Sequence, residues 1–135
     1  MNYKWINSET LGKKKPFLWF YDGEKIIIER KFKNNPRYQN IFLNSEIDKI
    51  IEYISKNDEV PLANNVEKVV NGEEKEGIGK YIYDNISKDT SAQQCSSQLV
   101  AIFYDTNIIL YNNKKRNIQF RINNKNWKET LINYI

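Results

Sequence analysis

Strand-forming and helix-forming runs occupy separate blocks of this sequence, and their order limits the folds open to the chain. Residues 17–21 and 25–32 are aromatic and β-branched runs, separated by an Asp-Gly pair at 22–23 that is a strong signal for a tight turn. These runs predict a β-hairpin. An Asn-Asn-Pro sequence at 34–36 then predicts the end of the second strand.

Helical periodicity marks the middle of the chain. Four isoleucines between positions 47 and 54 fall on one face of a helix predicted over 46–56, with Asn44-Ser45 as its N-cap. The same reasoning predicts a short helical turn at 66–70 and a helix over 78–87. Asp89 can cap a further helix that begins at Ala92, and Asn126 can cap a C-terminal helix.

Three apolar runs near the C-terminus, 99–104, 108–111 and 118–122, are separated by short polar segments. They predict a three-stranded antiparallel meander. The alternative for the first run is a helix that continues to Phe103, because Cys95, Leu99 and Ile102 also fit a helical stripe.

Strands in blocks, not alternating with helices, are typical of α+β proteins. We therefore predict a single α+β domain over residues 1–135. An antiparallel sheet, made of the N-terminal hairpin and the C-terminal meander, would pack against three to four helices.

Charge is unevenly divided along the chain. Residues 1–45 hold nine Lys and Arg against four Asp and Glu, residues 46–76 hold four against nine, and residues 77–135 hold eight against four. Such a pattern suits a partner with complementary charge, which includes another protein as well as a polyanion. Lys outnumbers Arg seventeen to four. This makes a nucleic-acid partner less expected, because Arg forms the better bidentate contacts with phosphate and guanine.

The absence of histidine excludes most common catalytic designs, since it removes the usual general base, the usual transition-metal ligand and every Ser-His or Cys-His nucleophile. The single cysteine, Cys95, lacks an activating imidazole, and we predict that it is a small apolar residue on a helix face. We predict no catalytic residues, no metal site and no cofactor.

Two motifs partly resemble known catalytic or phosphate-binding sites. Asp22 followed by Glu29 and Lys31 resembles the Asp…Glu-x-Lys arrangement of metal-dependent nucleases, but hairpin pairing would hold the two carboxylates too far apart to share a metal ion. The sequence Gly-Ile-Gly-Lys at 77–80 precedes a predicted helix, as in phosphate-binding loops, yet it lacks the full spacing and follows several glutamates.

Three basic clusters are candidates for binding nucleic acid. They are Lys13, Lys14 and Lys15; Arg30, Lys31 and Lys33; and Lys114, Lys115 and Arg116. If the hairpin and the meander share a sheet, these clusters could meet on one rim beside Trp5, Trp19, Tyr21 and Tyr111. Proteins that bind single-stranded nucleic acid on a β-sheet use lysines to contact phosphates and aromatic rings to stack against bases. The alternative is that the lysines only protect strand edges and the rings fill the core.

The acidic middle segment is the candidate surface for a protein partner. Its residues are Glu46, Asp48, Glu52, Asp58 and Glu59. They can form a docking surface for a basic partner, as in a small inhibitor or immunity-type protein, or they can be a solvated helix face.

The leading expectation is therefore a non-enzymatic binding or regulatory protein that acts through a protein partner. A nucleic-acid-binding module is the alternative, and a divergent metal-dependent nuclease is the third. The chain has no run of roughly 20 apolar residues, so no membrane partner is expected, and the lone cysteine favours a cytoplasmic location.

Overall fold

The computed structural model describes residues 4–135 and has the α+β fold that the order of sequence runs predicts. The first sheet is antiparallel, with the strand order β1-β2-β3-β4. Its strands are β1 (Ile6–Glu9), β2 (Pro16–Tyr21), β3 (Lys25–Phe32) and β4 (Asn35–Leu43).

Strands β2 and β3 form the predicted hairpin, with Leu18 paired to Glu29. Asp22 closes the turn, because its Oδ1 accepts hydrogen bonds from the backbone N–H of Glu24 at 2.8 Å and of Lys25 at 2.9 Å. An aspartate that bonds to its own turn in this way stabilises the reversal before any tertiary contact forms. The hairpin prediction is confirmed.

Strand β4 was not predicted from the sequence. The second strand ends before residues 34–36, as predicted, but the chain then turns back and pairs with β3, with Arg30 opposite Tyr38. Pro36 does not prevent this because β4 lies at the edge of the sheet, where a residue without a backbone N–H is tolerated. Along β4, Asn40 faces the protein interior and Ile41 faces solvent.

Six helices lie within the described residues. They are α1 (Asn44–Ser55), α2 (Val66–Val70), α3 (Ile78–Asn85), α4 (Thr90–Gln94), α5 (Ser96–Asp105) and α6 (Trp127–Tyr134). The number exceeds the predicted three to four because the short turns α2 and α4 count as helices and because α5 takes the place of a predicted strand. The four isoleucines of α1 are buried as predicted.

The N-terminus of α1 differs from the prediction in its cap. The N-cap position is Leu43, and the Glu46 carboxylate accepts a hydrogen bond from the Leu43 N–H at 2.8 Å. Asn44 binds elsewhere: its side chain accepts from the Tyr21 hydroxyl at 2.8 Å and donates to the Gly23 carbonyl. The helix start is thereby tied to the turn of the hairpin.

The second sheet has the order β5-β7-β6 and is also antiparallel. Its strands are β5 (Val60–Pro61), β6 (Ile109–Tyr111) and β7 (Gln119–Ile122). The last two match predicted strands. The third partner is the short β5 and not the run 99–104, so the hairpin and the C-terminal strands belong to two sheets rather than to one.

The run 99–104 lies in α5, which corrects the predicted first strand of the meander. Residues 98–103 are buried without a break. A helix surrounded by protein is apolar on all sides, and its sequence then resembles that of a buried strand. The helical stripe of Cys95, Leu99 and Ile102 was the correct alternative.

One cluster of buried apolar side chains joins both sheets to the helices. Trp19 of β2, Ile50 of α1, Phe103 of α5 and Phe120 of β7 all belong to it. This shared core fixes the ends of the two sheets relative to each other. Within residues 4–135, every helix is too short or too polar to cross a lipid bilayer.

Candidate functional site

A cleft of about 560 Å³ opens between the two sheets. Its walls come from the β1–β2 loop, the end of β3, the first turn of α5 and the β6–β7 loop. Five cationic side chains line it: Lys13, Lys15, Arg30, Lys31 and Lys115. Members of all three basic clusters therefore meet at this cleft, which we call the basic cleft.

Direct contact between two loops brings the clusters together. A Cβ atom added to Gly12 would lie 3.2 Å from the Lys115 carbonyl oxygen, so the β1–β2 loop packs closely against the β6–β7 loop. Thr10 holds the first loop in shape: its hydroxyl accepts from the Lys15 N–H at 3.0 Å, and its N–H donates to the Lys15 carbonyl. Lysines about 100 positions apart in sequence thus face one space.

The basic cleft has no compensating acid. Among the described residues that line it, none is Asp or Glu, and its five cations form no ion pair with any residue of the 4–135 range. Lysines gathered in a concave site raise the local concentration of anions. The four lysines are exposed, and Arg30 is only 8 % exposed.

Arg30 is held at the inner end of the cleft by neutral groups. Its Nη2 donates to Asn40 Oδ1 at 2.6 Å and to the Ser91 carbonyl at 3.2 Å, and its Nε has no hydrogen-bond partner within the described residues. The guanidinium also lies 5.0 Å from the centre of the Phe32 ring and 5.6 Å from that of Tyr38. Rings and amides position the charge without neutralising it.

Polar amides line the side of the cleft opposite the lysine loops. Asn64 donates to the Ser97 hydroxyl at 2.9 Å, and Gln94 and Gln98 lie in the same wall. Gln98 Oε1 is buried without a hydrogen-bond partner in the described part of the chain. Such an acceptor is a group that a ligand donor can satisfy.

The structure divides each basic cluster into two parts. Lys14, Lys33, Lys114 and Arg116 do not line the basic cleft. Lys14 instead lies 3.9 Å from the Glu9 carboxylate on the exposed side of its loop. The sequence identifies the clusters but does not show which members face inward.

The aromatic residues expected beside the basic clusters are placed elsewhere. Trp19 and Tyr21 are fully buried on the inner face of the first sheet, so they present no exposed ring beside the clusters. Tyr111 packs edge-on against Tyr104 and does not line the basic cleft. Trp5 packs edge-on against Phe20.

Two rings line the basic cleft: Phe120, which is buried, and Phe32, which is 44 % exposed. A signal for it exists in the sequence, since Phe32 is two residues after Arg30 and strand alternation places both on one face.

Several acids of the predicted docking surface have structural roles. Glu46 caps α1, and the Asp48 carboxylate accepts a hydrogen bond from Trp127 Nε1 at 2.6 Å, which ties α1 to α6. Glu52 pairs with Lys56 at 3.6 Å on an exposed helix face. Asp58 and Glu59 are exposed. The protein-partner hypothesis stays a prediction on this surface.

The carboxylates of the nuclease-like motif lie apart, as the predicted hairpin register requires. Asp22 is engaged by Lys25 Nζ at 2.8 Å. Burial raises the pKa of the Asp22 carboxyl, but hydrogen bonds from Lys25 and from two backbone N–H groups outweigh burial and lower that pKa. Glu29 accepts from Gln39 and Arg37 instead. Residues 4–135 contain no group of three acidic, His or Cys side chains close enough to hold a metal ion.

The Gly-Ile-Gly-Lys segment serves packing. A Cβ atom on Gly77 would lie 2.6 Å from the Pro61 carbonyl oxygen, and Gly79 N–H donates to the Leu62 carbonyl at 2.7 Å. The chain after β5 therefore occupies the space that a phosphate would need. Lys80 is bound by Glu76 and Asp84, which raise the pKa of its ammonium group.

Cys95 is fully buried, and burial raises the pKa of its thiol to about 12 despite the nearby positive charge of Arg30. A thiol with that pKa stays protonated near neutral pH and is a poor nucleophile. This agrees with the structural role predicted for it.

Comparison of the chain with protein-family models, with curated proteins and with solved structures finds no match. The basic cleft is the site at which residues distant in sequence converge with one kind of charge.

Proposed function

We propose that this protein is a nucleic-acid-binding module and that the basic cleft is its binding site. The observation that carries the proposal is the convergence of all three basic clusters on one cleft lined by five cations and no carboxylate among the described residues. Lysines that only protect strand edges from pairing with other chains need not converge on one cleft. Phosphodiester chains present several negative charges at regular spacing, which suits such a group of cations.

The composition of the cleft supports a polymer more than a single small anion. One phosphate needs one or two cations, whereas Lys13, Lys31 and Lys115 stand on three different segments around the opening. The neutral amides of the opposite wall offer both donors and acceptors of hydrogen bonds, as the edges of bases require. A cytoplasmic location is part of the proposal.

The decisive experiment compares two triple variants with the same loss of charge. One carries Lys13→Ala, Lys31→Ala and Lys115→Ala in the basic cleft, and the other carries Lys14→Ala, Lys33→Ala and Lys114→Ala outside it. All six lysines are exposed, so neither variant is expected to lose much stability. Fluorescence anisotropy with a labelled oligonucleotide at about 50 mM salt measures binding.

We expect the cleft variant to lose at least about tenfold in affinity and the other variant to lose less than about threefold. The slope of log K against log salt should fall by about 2 in the cleft variant, because each phosphate contact to a single strand contributes about 0.7. Equal losses in both variants would assign binding to net charge and not to the cleft. No binding by the unmodified protein to DNA or RNA at low salt would refute the proposal.

A further inference from the structure

We infer that the basic cleft takes a short segment of single-stranded nucleic acid, with one phosphate at Arg30 and one base against Phe32, and that it discriminates against duplexes. This inference rests on the proposed function and adds the form of the ligand. Three independent features of the cleft support it: a buried charge, an exposed ring and a limited size.

The buried charge is that of Arg30. A guanidinium that is 8 % exposed has lost most of its hydration, and within residues 4–135 its direct neighbours are an amide, a carbonyl and rings but no carboxylate. The acid in the same hydrogen-bond network is Asp89, whose carboxylate accepts from the Ser91 hydroxyl at 2.8 Å. Removing a charge from water without pairing it is costly. The Arg30 Nε is buried and has no hydrogen-bond partner among the described residues, so the protein itself does not satisfy the whole guanidinium. An anion at the inner end of the cleft would compensate this charge, and a phosphate matches the guanidinium fork.

The exposed ring is that of Phe32. It lines the same cleft, follows Arg30 by two residues and is 44 % exposed, although large apolar side chains usually lie inside. Tyr38 contacts it edge-on with ring centres 5.2 Å apart, and the guanidinium of Arg30 lies near its face, so the ring is held in one orientation. A fixed, exposed ring beside cations is a stacking surface for an unpaired base.

The size of the cleft sets the length of the segment. A volume of about 560 Å³ falls within the range of roughly 300–1,000 Å³ typical of pockets for drug-sized ligands, which corresponds to about one or two nucleotides. A base in a duplex is stacked and paired, and it reaches such a site only if it is extruded. The lysines at the opening then contact the phosphates on either side of the bound nucleotide.

The test measures anisotropy for a series of single-stranded oligonucleotides from a mononucleotide to about 12 nucleotides, together with a duplex of the same final length. We expect affinity to rise steeply over about the first three nucleotides and then to level off apart from statistical factors, and the duplex to bind at least about tenfold more weakly. The variants are Phe32→Ala and Arg30→Lys, and the control is Ile41→Ala, an equally exposed apolar residue on the outer face of the first sheet.

Phe32→Ala should weaken binding of the single strand by about 5- to 100-fold and leave binding of the duplex unchanged, because only an unpaired base reaches the ring. Arg30→Lys keeps the charge but loses the fork, so it should also weaken the single strand, and a thermal unfolding curve checks that it is folded. Ile41→Ala should change neither.

The two proposals fail in different ways. Binding of single strand and duplex with equal affinity, unaffected by Phe32→Ala, would overturn the inference while leaving nucleic-acid binding intact. An affinity that keeps rising with length up to about 12 nucleotides would also overturn it, because several contacts would then lie outside the cleft. Failure of every oligonucleotide and the duplex to bind would refute the proposed function itself.

Discussion

Arg30 carries its charge into the protein interior with neutral partners only, and its nearest fixed contact is the side chain of Asn40 at 2.6 Å. Asn40 in turn donates to the Ser91 hydroxyl at 3.1 Å, so a small polar network connects β3, β4 and α4. A residue selected for stability alone would be apolar here, because apolar groups of similar volume often replace buried ionic groups without loss. A buried charge that lowers the stability of the protein is expected at a site where that charge binds a ligand.

A double variant and one of its single variants test that interpretation. We expect Arg30→Met with Asn40→Leu to unfold with a free energy within about 1 kcal/mol of the unmodified protein or above it, because both polar partners are removed together. Asn40→Leu alone should lose about 2 kcal/mol or more, since it leaves the guanidinium without its closest acceptor. Urea unfolding measures both values. A loss above about 3 kcal/mol in the double variant would show that the network serves stability.

At the scale of elements, the N-cap glycine of α3 lies close against β5 and the residues that follow it. A Cβ atom on Gly77 would lie 2.6 Å from the Pro61 carbonyl oxygen, and backbone cannot move aside as a flexible side chain can. We expect Gly77→Ala to lower the free energy of unfolding by about 1–3 kcal/mol. Urea unfolding measures the loss, with the exposed Lys88→Ala as control. An unchanged stability would mean that the segment repacks.

The elements also show what the sequence can and cannot predict. The hairpin and α1 were predictable because a turn signal and an amphipathic stripe are local, and both survive in the folded protein. Strand β4 was missed because Asn34-Asn35-Pro36 indicates the end of a strand, whereas the chain only turns there and Pro36 is tolerated in the edge strand that follows. Helix α5 is buried on nearly every side, so its sequence lacks the regularly spaced polar residues by which a helix is distinguished from a strand.

The candidate site follows the same rule. The three basic clusters could be found in the sequence, but the meeting of Lys13 and Lys115 at one cleft depends on two loops that pack together at Gly12. The aromatic expectation failed because Trp19 and Tyr21 are on the inner face of the first sheet, and Phe32 was overlooked beside them. Convergence of distant residues is a property of the tertiary structure, and no local pattern encodes it.

At the scale of the whole molecule, the charge division acquires a spatial meaning. The basic flanks of the sequence contribute their cations to a cleft between the two sheets, while Glu46 and Asp48 of the acidic middle support α1 and its contact with α6. The positive charges of the cleft repel one another across the interface of the two sheets. They are therefore expected to oppose folding when no ligand is bound.

Salt dependence of stability measures this repulsion without any ligand. At about 10 mM salt, the cleft variant with Lys13→Ala, Lys31→Ala and Lys115→Ala should be more stable than the unmodified protein by about 1 kcal/mol. At about 1 M salt the gain should vanish, because the screening length falls to about 3 Å. The variant with Lys14→Ala, Lys33→Ala and Lys114→Ala is the control, and its gain should be smaller because its lysines lie outside the cleft. If both variants gain the same stability at low salt, the repulsion comes from the net charge of +4 and not from the cleft. A larger gain in the cleft variant that disappears at high salt would place the repulsion at the interface between the two sheets.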